Sequence, residues 1–470
     1  MKRPQLRTGL IVPALIVPAL TVAALAALLS ACSFAPVHQR PAAPVAAAFP
    51  QPGADGGTPA AELPWADFLA DARLKALVEL ALKNNRDLRI AALNVEQVRA
   101  QLGAQRADLW PTLGGGFTGG RQATGNVYTL GLQVTAFELD LFGRVKNLSE
   151  AALARYLASD EGRRAVHAGL VAAVAAADLA VRADDELLAL TQRTLASRNE
   201  GLRLVKLRFD GGVAAEPELR NADSLVAAAR VNLAALQRQR SQDLNALVLL
   251  LGQPLPADLP PAGDLAALRL ADLPAGLPSE VLLQRPDVRQ AEQQLVAANA
   301  DIGVARAAFF PRISLTGSAG FASNQLSGLF DNTAWTFTGQ LLQPIFNAGR
   351  NSANLAGAQA ARDISIAQYE KTVQTAFREV ADALAGRATL GAQLAAQQAQ
   401  ADAEARRLAL ADLLFQGGVA NALERLDAER ATLATRQAVV QLQLARLQNA
   451  VQLYRVLGGG TPAPLASAAP

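Results

Sequence analysis

The sequence predicts a mainly α-helical chain with a few membrane-type β-strands, in which the same order of elements occurs twice. Two stretches of about 65 residues without a helix breaker indicate very long helices. Short segments that alternate apolar with hydroxyl-bearing residues indicate strands. The turn FDGGV from Phe209 returns as FQGGV from Phe415 in the same register, which indicates an internal two-fold repeat.

The first 31 residues have the pattern of a lipoprotein signal peptide. Basic residues precede a long apolar run that closes with LSAC, and this motif resembles the bacterial lipobox. We therefore expect Cys32, the only cysteine of the chain, to carry diacylglycerol and an N-acyl chain. A transmembrane anchor is the alternative, but Pro13 and Pro18 interrupt the apolar run.

The charge of the chain lies in this leader. The formal net charge is +3, and the only charged residues before Cys32 are Lys2, Arg3 and Arg7. The remainder is neutral overall and has no basic stripe with interleaved aromatic residues, which argues against nucleic acid as a partner.

The rest of the chain divides into two parallel halves. Residues 32–62 are rich in Pro, Ala and Gly and predict an extended, lipidated tether. Residues 63–252 and 279–458 form the two copies, joined by a Pro-rich linker at 253–278 and followed by a flexible tail at 459–470. A shift of 200 aligns Asp87 with Asp287 and Pro111 with Pro311.

Each half is predicted to contain a first helix, two strands, a very long helix, a turn and a return helix. Pro111, Pro311 and Pro344 mark boundaries between helices and strands, because proline disfavours helix in the residue before it. The first helices are predicted at Arg73–Asp108 and Glu280–Ala308. The strands are predicted at 112–120, 127–140, 312–321 and 334–345, and the later helices at 144–209, 215–251, 349–415 and 420–457.

The strands have the length and pattern of membrane strands. In RISLTGSAGF from Arg312, apolar Ile313 and Leu315 alternate with Ser314 and Thr316. A tilted strand of about 9–11 residues is long enough to cross a bilayer. Four strands cannot close a barrel, so several identical chains must each contribute strands to one barrel. The alternative is a soluble sheet packed on helices, which leaves the very long helices unexplained. It also ignores the aromatic residues at the strand ends: Trp110, Phe142, Phe309, Phe310 and Phe346.

The long helices end at paired glycines, which suit a left-handed C-terminal cap. The return helices keep the 3,4 apolar spacing of a coiled coil. Each GGV turn therefore predicts the bend of a long helical hairpin. The residues of the two bends are Gly211, Gly212, Val213, Gly417, Gly418 and Val419.

Three segments carry a resemblance to a known family. They are RPDVRQAEQQLVAANADIGVARAAFFPRISLTGSAGF from Arg285, QPIFNAGR from Gln343 and FQGGVANALERLDAER from Phe415. They resemble the TolC-like outer membrane factor family, and more closely its NodT-type lipoprotein branch, which serves resistance-nodulation-division efflux pumps. The likeness extends over nearly all of residues 63–460.

The resemblance implies a homotrimer in the outer membrane of a Gram-negative bacterium. The three chains would share a 12-stranded β-barrel, continued by an α-helical coiled-coil tunnel in the periplasm. The GGV turns would be the entrance tips that a periplasmic adaptor protein contacts. The adaptor would in turn connect the channel to an inner membrane efflux transporter. The implied function is an exit duct for small molecules. A duct for type I protein secretion and a lipid-anchored coiled-coil scaffold without a pore remain open.

Members of this family often narrow the entrance with acidic residues just after the second GV, where this chain has Ala420. The candidate aperture acids here are Asp412, Glu424 and Asp210, with Glu216 and Glu218 flanking the first tip. For each of them, an ordinary solvated charge at a helix end is an equally open interpretation. Asp427 and Arg430 are interpreted as interhelical packing or ion-pair residues.

The sequence contains no pattern of a catalytic site. His38 lies in the tether and His167 stands alone on a long helix, so neither is expected to be a ligand. No second cysteine is present for a metal or a disulfide. We therefore expect a protein that is not an enzyme and that has no metal and no cofactor beyond the covalent lipid on Cys32.

Overall fold

The computed structural model describes residues 34–50, 59–123, 125–273, 279–417, 419 and 422–461. The predicted signal peptide, Cys32 and Gly418 lie outside these residues. The chain divides into two compact units. We call the first the sheet unit (residues 1–42, 94–159 and 290–371) and the second the helical unit (residues 43–93, 160–289 and 372–470).

The described elements follow the same order in both halves of the chain. The first half contains α1 (Trp65–Phe68), α2 (Ala72–Asn84), α3 (Arg86–Ala107), β1 (Leu113–Gln122), β2 (Gly125–Leu139), α4 (Arg144–Asp210) and α5 (Glu216–Leu251). The second half contains a 3-10 segment (Ser279–Gln284), α6 (Pro286–Ala307), β3 (Arg312–Ser323), a 3-10 turn (Leu326–Gly328), β4 (Thr333–Leu342), α7 (Arg350–Gln416) and α8 (Ala422–Val456). Helices α4 and α7 have 67 residues each.

The first helix differs from the sequence prediction, because Asn85 divides it into α2 and α3. The backbone of Asn85 is extended, with φ −62° and ψ 132°. Its N–H closes α2 on the carbonyl of Ala81, while its Oδ1 accepts from the N–H of Leu88 in the first turn of α3. Asn85 thus ends one helix and caps the next. In the second half the prediction was also too long, since a 3-10 segment precedes α6, which starts at Pro286.

The four strands form one antiparallel sheet in the order β1-β2-β3-β4. Their bounds lie within three residues of the predicted ones, and the largest difference is at the end of β4. The sheet lies within the sheet unit, together with most of α6, the second part of α3 and the first part of α4 and of α7.

A core of stacked rings and paired charges stabilises the helical unit. Phe68 stacks on Tyr454 with ring centres 4.0 Å apart, and both rings are buried. Nearby, Arg182 is 3% exposed and bonds both Asp178 and Asp71, which also caps α2. Because these buried charges neutralise one another, they avoid the cost of an isolated buried ion.

The beginning of the predicted flexible tail is part of this core. Gly459 and Gly460 are buried, and the carbonyl of Gly460 lies 2.8 Å from Nδ1 of His167. His167 is therefore a structural contact of α4 rather than an isolated residue. Its burial lowers the pKa of its imidazole below the usual value. Residues 462–470 lie outside the described part of the chain.

Among the described residues, one helix, α4, contains an 18-residue window that is apolar enough to cross a membrane. More than half of the window, 56%, is buried inside the protein. Helices packed in a protein core meet the same criterion, so the window alone does not indicate a membrane span.

Candidate functional site

The sheet has two faces of opposite chemistry. The strand register places Trp335 beside Ala319 and Phe337 beside Gly317 on one face, and Thr336 beside Ser318 on the other. The apolar face continues through the sheet with Leu113, Phe117, Leu130, Leu132, Val134, Phe137, Leu139, Ile313, Leu315, Phe321 and Leu341. The opposite face carries hydroxyl, amide and glycine positions: Gly114, Gly116, Thr118, Thr129, Gly131, Gln133, Ser314, Thr316, Gly320, Thr338 and Gln340.

The apolar face is not covered by the described chain. Trp335 is 78% exposed, Phe337 68% and Phe117 56%. A soluble sheet would bury such side chains on helices, so the soluble alternative does not describe this structure. An uncovered apolar face of this kind indicates contact with lipid or with another chain.

A bulge keeps the two faces in phase along β2. The register shifts between Val134 and Phe137, so that β2 has one residue more than β3 over this interval. At the bulge, Ala136 has a positive φ of 50°, and its N–H donates to the hydroxyl oxygen of Thr316 at 3.2 Å. Phe137 therefore returns to the apolar face, where it lies opposite Leu315. The sequence pattern did not reveal this bulge.

The outer edges of the sheet have no partner strand among the described residues. β1 pairs with β2 and β4 pairs with β3, which leaves one side of β1 and one side of β4 unpaired. An unpaired edge in lipid costs several kcal/mol for each unsatisfied backbone group. The sheet is therefore suited to join other strands rather than to remain alone.

The prolines lie at the ends of the strands. Pro311 immediately precedes β3, Pro111 lies two positions before the start of β1, and Pro344 lies two positions after the end of β4. Beside them, Glu138 at the end of β2 receives two hydrogen bonds from Arg144, at 2.7 and 2.6 Å. The aromatic residues at this level differ in exposure: Trp110 and Phe346 are highly exposed, whereas Phe310 stacks on Phe34 and Phe142.

The two GGV turns share one backbone hydrogen bond. In the first, the N–H of Val213 donates to the carbonyl of Arg208 at 2.8 Å. In the second, the N–H of Val419 donates to the carbonyl of Leu414 at 2.9 Å, again over five positions. Gly212 has a φ of +75°, as a C-terminal glycine cap requires. Both valines are exposed, by 73% and 79%.

The candidate aperture acids differ in their surroundings. Asp412 on α7 pairs with Arg425 on α8, and the guanidinium of Arg425 lies 5.8 Å from the ring centre of Phe415. Asp210 and Glu424 are exposed at the ends of their helices. At the first tip, Glu218 accepts from Arg208 at 3.2 Å and Glu216 from Arg220 at 3.1 Å.

Two further ion pairs lie along the second hairpin, which we define as α7 and α8. Asp427 on α8 lies 3.1 Å from Arg407 on α7. The interpretation of Asp427 as an interhelical ion-pair residue is therefore confirmed. Arg430 lies 3.8 Å from Asp427 within α8 itself, so its pairing is within the helix and not between helices.

A buried ion pair joins the first hairpin, α4 and α5, to the second, and sequence reasoning missed it. Arg198 on α4 lies 3.4 Å from Glu429 on α8, and both residues are 8% exposed. Arg198 also donates to the carbonyl of Leu225 on α5 at 3.0 Å. Residues 198 and 429 lie far apart in the chain and belong to no shared motif, so no local signal could pair them.

A second missed feature is an acidic pair between α4 and α5. Burial, together with a hydrogen bond and repulsion from Asp243, raises the pKa of Asp184 to about 7. Asp184 is 6% exposed, and its Oδ2 has no hydrogen-bond partner among the described residues. The adjacent Asp185 instead pairs with Arg240 on α5.

The described part of the tether is held in place by specific contacts. Arg40 binds Glu292 on α6 through two hydrogen bonds of 2.8 and 3.0 Å. His38 lies 3.5 Å from the same carboxylate, so it is not an incidental residue of a loose tether. Arg306 donates to the carbonyl of Phe34 at 2.9 Å. Residues 34–40 are thereby fixed along α6.

The described residues contain no group of three or more His, Cys, Asp or Glu side chains that could hold a metal ion. The arrangement instead offers a two-faced sheet, exposed helical tips and ion pairs that join the hairpins.

Comparison with known proteins gives a consistent result. The family described as outer membrane efflux protein matches residues 77–253 and 277–459. The solvent efflux pump outer membrane protein SrpC of Pseudomonas putida is 46% identical over 453 residues, which cover 92% of this chain and 96% of that protein. Outer membrane protein OprJ of Pseudomonas aeruginosa is 45% identical over 448 residues, with 92% and 94% covered. The open state of the MtrE outer membrane channel of Neisseria gonorrhoeae has a TM-score of 0.86 at 40% identity, with 91% and 98% covered.

Proposed function

This chain belongs to the outer membrane efflux protein family, and from that premise we propose that it is the outer membrane channel of a tripartite efflux pump. As a homotrimer it carries small molecules from the periplasm to the outside of a Gram-negative cell. The observation that carries this proposal is the two-faced sheet, whose apolar face and outer edges are both left open.

The sheet supports a trimer through strand number. Single-chain bacterial barrels have about 8 strands or more, so the four strands of this chain are too few. Three copies supply twelve strands and let β1 of one chain pair with β4 of the next. This closure satisfies every edge in lipid, places the apolar face outside and turns the hydroxyl and glycine face toward a water-filled interior.

The hairpin tips support an entrance in the periplasm that meets a partner. Val213 and Val419 expose an apolar side chain at each turn, held by the same hydrogen-bond pattern. In the proposal these tips contact a periplasmic adaptor protein, and an inner membrane transporter supplies the energy. The channel itself is passive, and its entrance opens when the ion pairs between and within the hairpins rearrange.

The lipid anchor is a separate part of the proposal. Cys32 precedes residues 34–40, which are fixed along α6, so a lipid on Cys32 would hold this unit at the membrane surface. Substitution Cys32→Ser should abolish incorporation of radiolabelled palmitate, while Ser30→Ala, in the same leader, should preserve it. Normal labelling of Cys32→Ser would contradict the lipoprotein assignment.

Two measurements test the channel proposal. The purified trimer should conduct in planar bilayers, and deletion of its gene should lower resistance to small toxic compounds while leaving protein secretion unchanged. A trimer that never conducts would support the non-conducting scaffold. Loss of a secreted protein with unchanged drug susceptibility would support a type I secretion duct.

A further inference from the structure

A cavity of about 280 Å³ lies between the two hairpins near their tips. Residues of α4, α5, α7 and α8 line it, so all four helices of the hairpins contribute. Its walls are largely aliphatic, with one aromatic ring, and include Leu202, Val205, Ala222, Leu225, Phe415 and Leu426. We call it the tip cavity.

The charged side chains at the border of the tip cavity are already paired. Arg198 faces Glu429 and Arg208 faces Glu218, at 3.4 and 3.2 Å. Arg425 faces Asp412. A charged ligand would have to displace one of these partners or enter without a counter-ion, and both are costly in a partly buried site. An uncharged ligand has neither cost.

The size of the tip cavity also restricts its ligand. A dry apolar cavity of about 150 Å³ is enough to hold benzene. The tip cavity is nearly twice as large and lies just below the range of ordinary ligand pockets. A one-ring or two-ring apolar solute therefore matches its volume.

We propose that the tip cavity is a binding site for small, uncharged aromatic solutes and that an occupied cavity holds the two hairpins together. Ligand bound between Ala222 on α5 and Leu426 on α8 gains apolar contacts with both hairpins at once. Separation of the tips would expose the ligand and these walls to water, which is unfavourable. This effect on opening rests on the proposed channel function, whereas binding does not.

Photolabelling tests the binding directly. The detergent-solubilised, full-length trimer is irradiated with 3-trifluoromethyl-3-phenyldiazirine, a small uncharged carbene source, and labelled peptides are identified by mass spectrometry. Label is expected on the helical segments around Val205 and Leu225. Excess naphthalene should remove this label, whereas 2-naphthoate, with a similar ring system and a carboxylate, should not. Label that naphthalene does not displace overturns the site, and equal competition by 2-naphthoate overturns the uncharged class.

A matched pair of variants locates the site. Ala222→Leu places three further carbon atoms in the tip cavity and should lower specific labelling about tenfold, the scale of small steric changes in apolar pockets. Ala228→Leu makes the same change at an exposed position of α5 and should leave labelling unchanged. Equal labelling of both variants overturns the location. If Ala222→Leu does not fold, competition by naphthalene in the unchanged protein still tests whether the binding site exists.

Conductance separates this proposal from the channel itself. Naphthalene should reduce the open time of the unchanged trimer in planar bilayers and should have no such effect on Ala222→Leu. A trimer that is labelled at the tip cavity but never conducts would support the binding site and contradict the channel proposal. A trimer that conducts but carries no displaceable label would support the channel proposal and contradict the binding site.

Discussion

Arg285 donates a hydrogen bond from Nη1 to the backbone carbonyl of Val456 at 3.1 Å. Asn85, which precedes Arg285 by 200 positions, makes the corresponding bond to the carbonyl of Leu250 at 2.9 Å, and Leu250 precedes Val456 by 206 positions. In both halves, the residue immediately before a corresponding helix, α3 or α6, thus donates to a carbonyl near the end of the return helix. Different side chains fulfil the same role, so a comparison of residue identities alone cannot detect this bond.

Removal of Arg285 should destabilise the protein strongly. Its guanidinium is buried and also neutralises Asp287 and Glu379, at 2.7 and 2.8 Å. Arg285→Met leaves Asp287 without this cation and leaves Glu379 with Arg455 alone, at 3.6 Å. We therefore expect the free energy of unfolding to fall by about 3 kcal/mol. Thermal unfolding followed by circular dichroism measures the change.

The control for this substitution is an arginine in an exposed pair. Arg220→Met removes a side chain that is 68% exposed and pairs with Glu216 within α5. Its effect should be below about 0.5 kcal/mol, because exposed pairs contribute little. Similar losses for the two variants would show that the buried cluster around Arg285 does not stabilise the fold.

The acidic pair on α4 and α5 should make stability depend on pH. The pKa of Asp184 is raised to about 7 from its ordinary value of 3.8, so between these values the folded protein binds more protons than the unfolded chain. Stability contributed by the protonated carboxyl is therefore present below pH 3.8 and is lost as the pH rises through about 7. Asp184→Asn should raise the unfolding temperature at pH 8 and change it little at pH 4.

Asp258→Asn provides the comparison, because Asp258 is exposed in the linker. It should change the unfolding temperature little at either pH. If Asp184→Asn has the same effect at pH 4 and pH 8, the carboxyl of Asp184 does not titrate in this interval, and the pH dependence is refuted.

Two glycines of β3 should respond differently to substitution. A methyl group at Gly320 would overlap the backbone of Leu130 and Gly131 on the neighbouring strand, where two glycines face each other. At Gly317 the nearest atom to such a methyl group is the carbonyl oxygen of Thr336, at an ordinary 3.6 Å. Gly320→Ala should therefore disrupt the pairing of β2 with β3 and reduce trimer assembly, while Gly317→Ala should assemble normally.

Native gel electrophoresis of membrane extracts distinguishes these outcomes. A large loss of trimer for Gly320→Ala alone is expected, since unpaired strands in lipid are costly. Equal amounts of trimer for both variants would mean that the close approach of β2 and β3 at Gly131 is not needed for assembly.

The elements of the fold were largely accessible from the sequence because they depend on local patterns. Proline positions, strand alternation and the absence of breakers predicted α4, α7 and the strands to within a few residues. The division of the first helix was missed because Asn85 is not a strong helix breaker. Its side-chain amide also donates to the carbonyl of Leu250, which only tertiary packing brings to it. The bulge at Ala136 was missed because its cause is the pairing with β3.

The candidate site was accessible only in part, for the same reason. The GGV turns are local, and their glycines and valines could be named from the sequence. The partner of Asp412 lies across the hairpin bend, and the pair of Arg198 with Glu429 joins residues from the two halves. No spacing in the sequence encodes such contacts, so the acids could be named but their neutralisation could not be foreseen.

The pair of Asp412 with Arg425 leads to a prediction about the entrance. It joins α7 to α8 beside the second turn, and Arg425 also lies over the ring of Phe415. Both side chains are partly exposed, so the pair should contribute no more than about 1 kcal/mol. If opening separates α7 from α8 at the tip, Asp412→Ala and Arg425→Ala should each raise the ratio of open to closed channels by up to about fivefold.

Single-channel recording of both variants and of the double variant tests this idea. Because the two residues act as one pair, the double variant should open no more often than either single variant. Asp210→Asn removes an exposed charge at the end of α4, at the first tip, and should alter ion selectivity without altering the open fraction, as expected of a charge that lines the entrance. If Asp412→Ala changes selectivity and Arg425→Ala changes nothing, Asp412 acts as an aperture charge and the pair does not restrain opening.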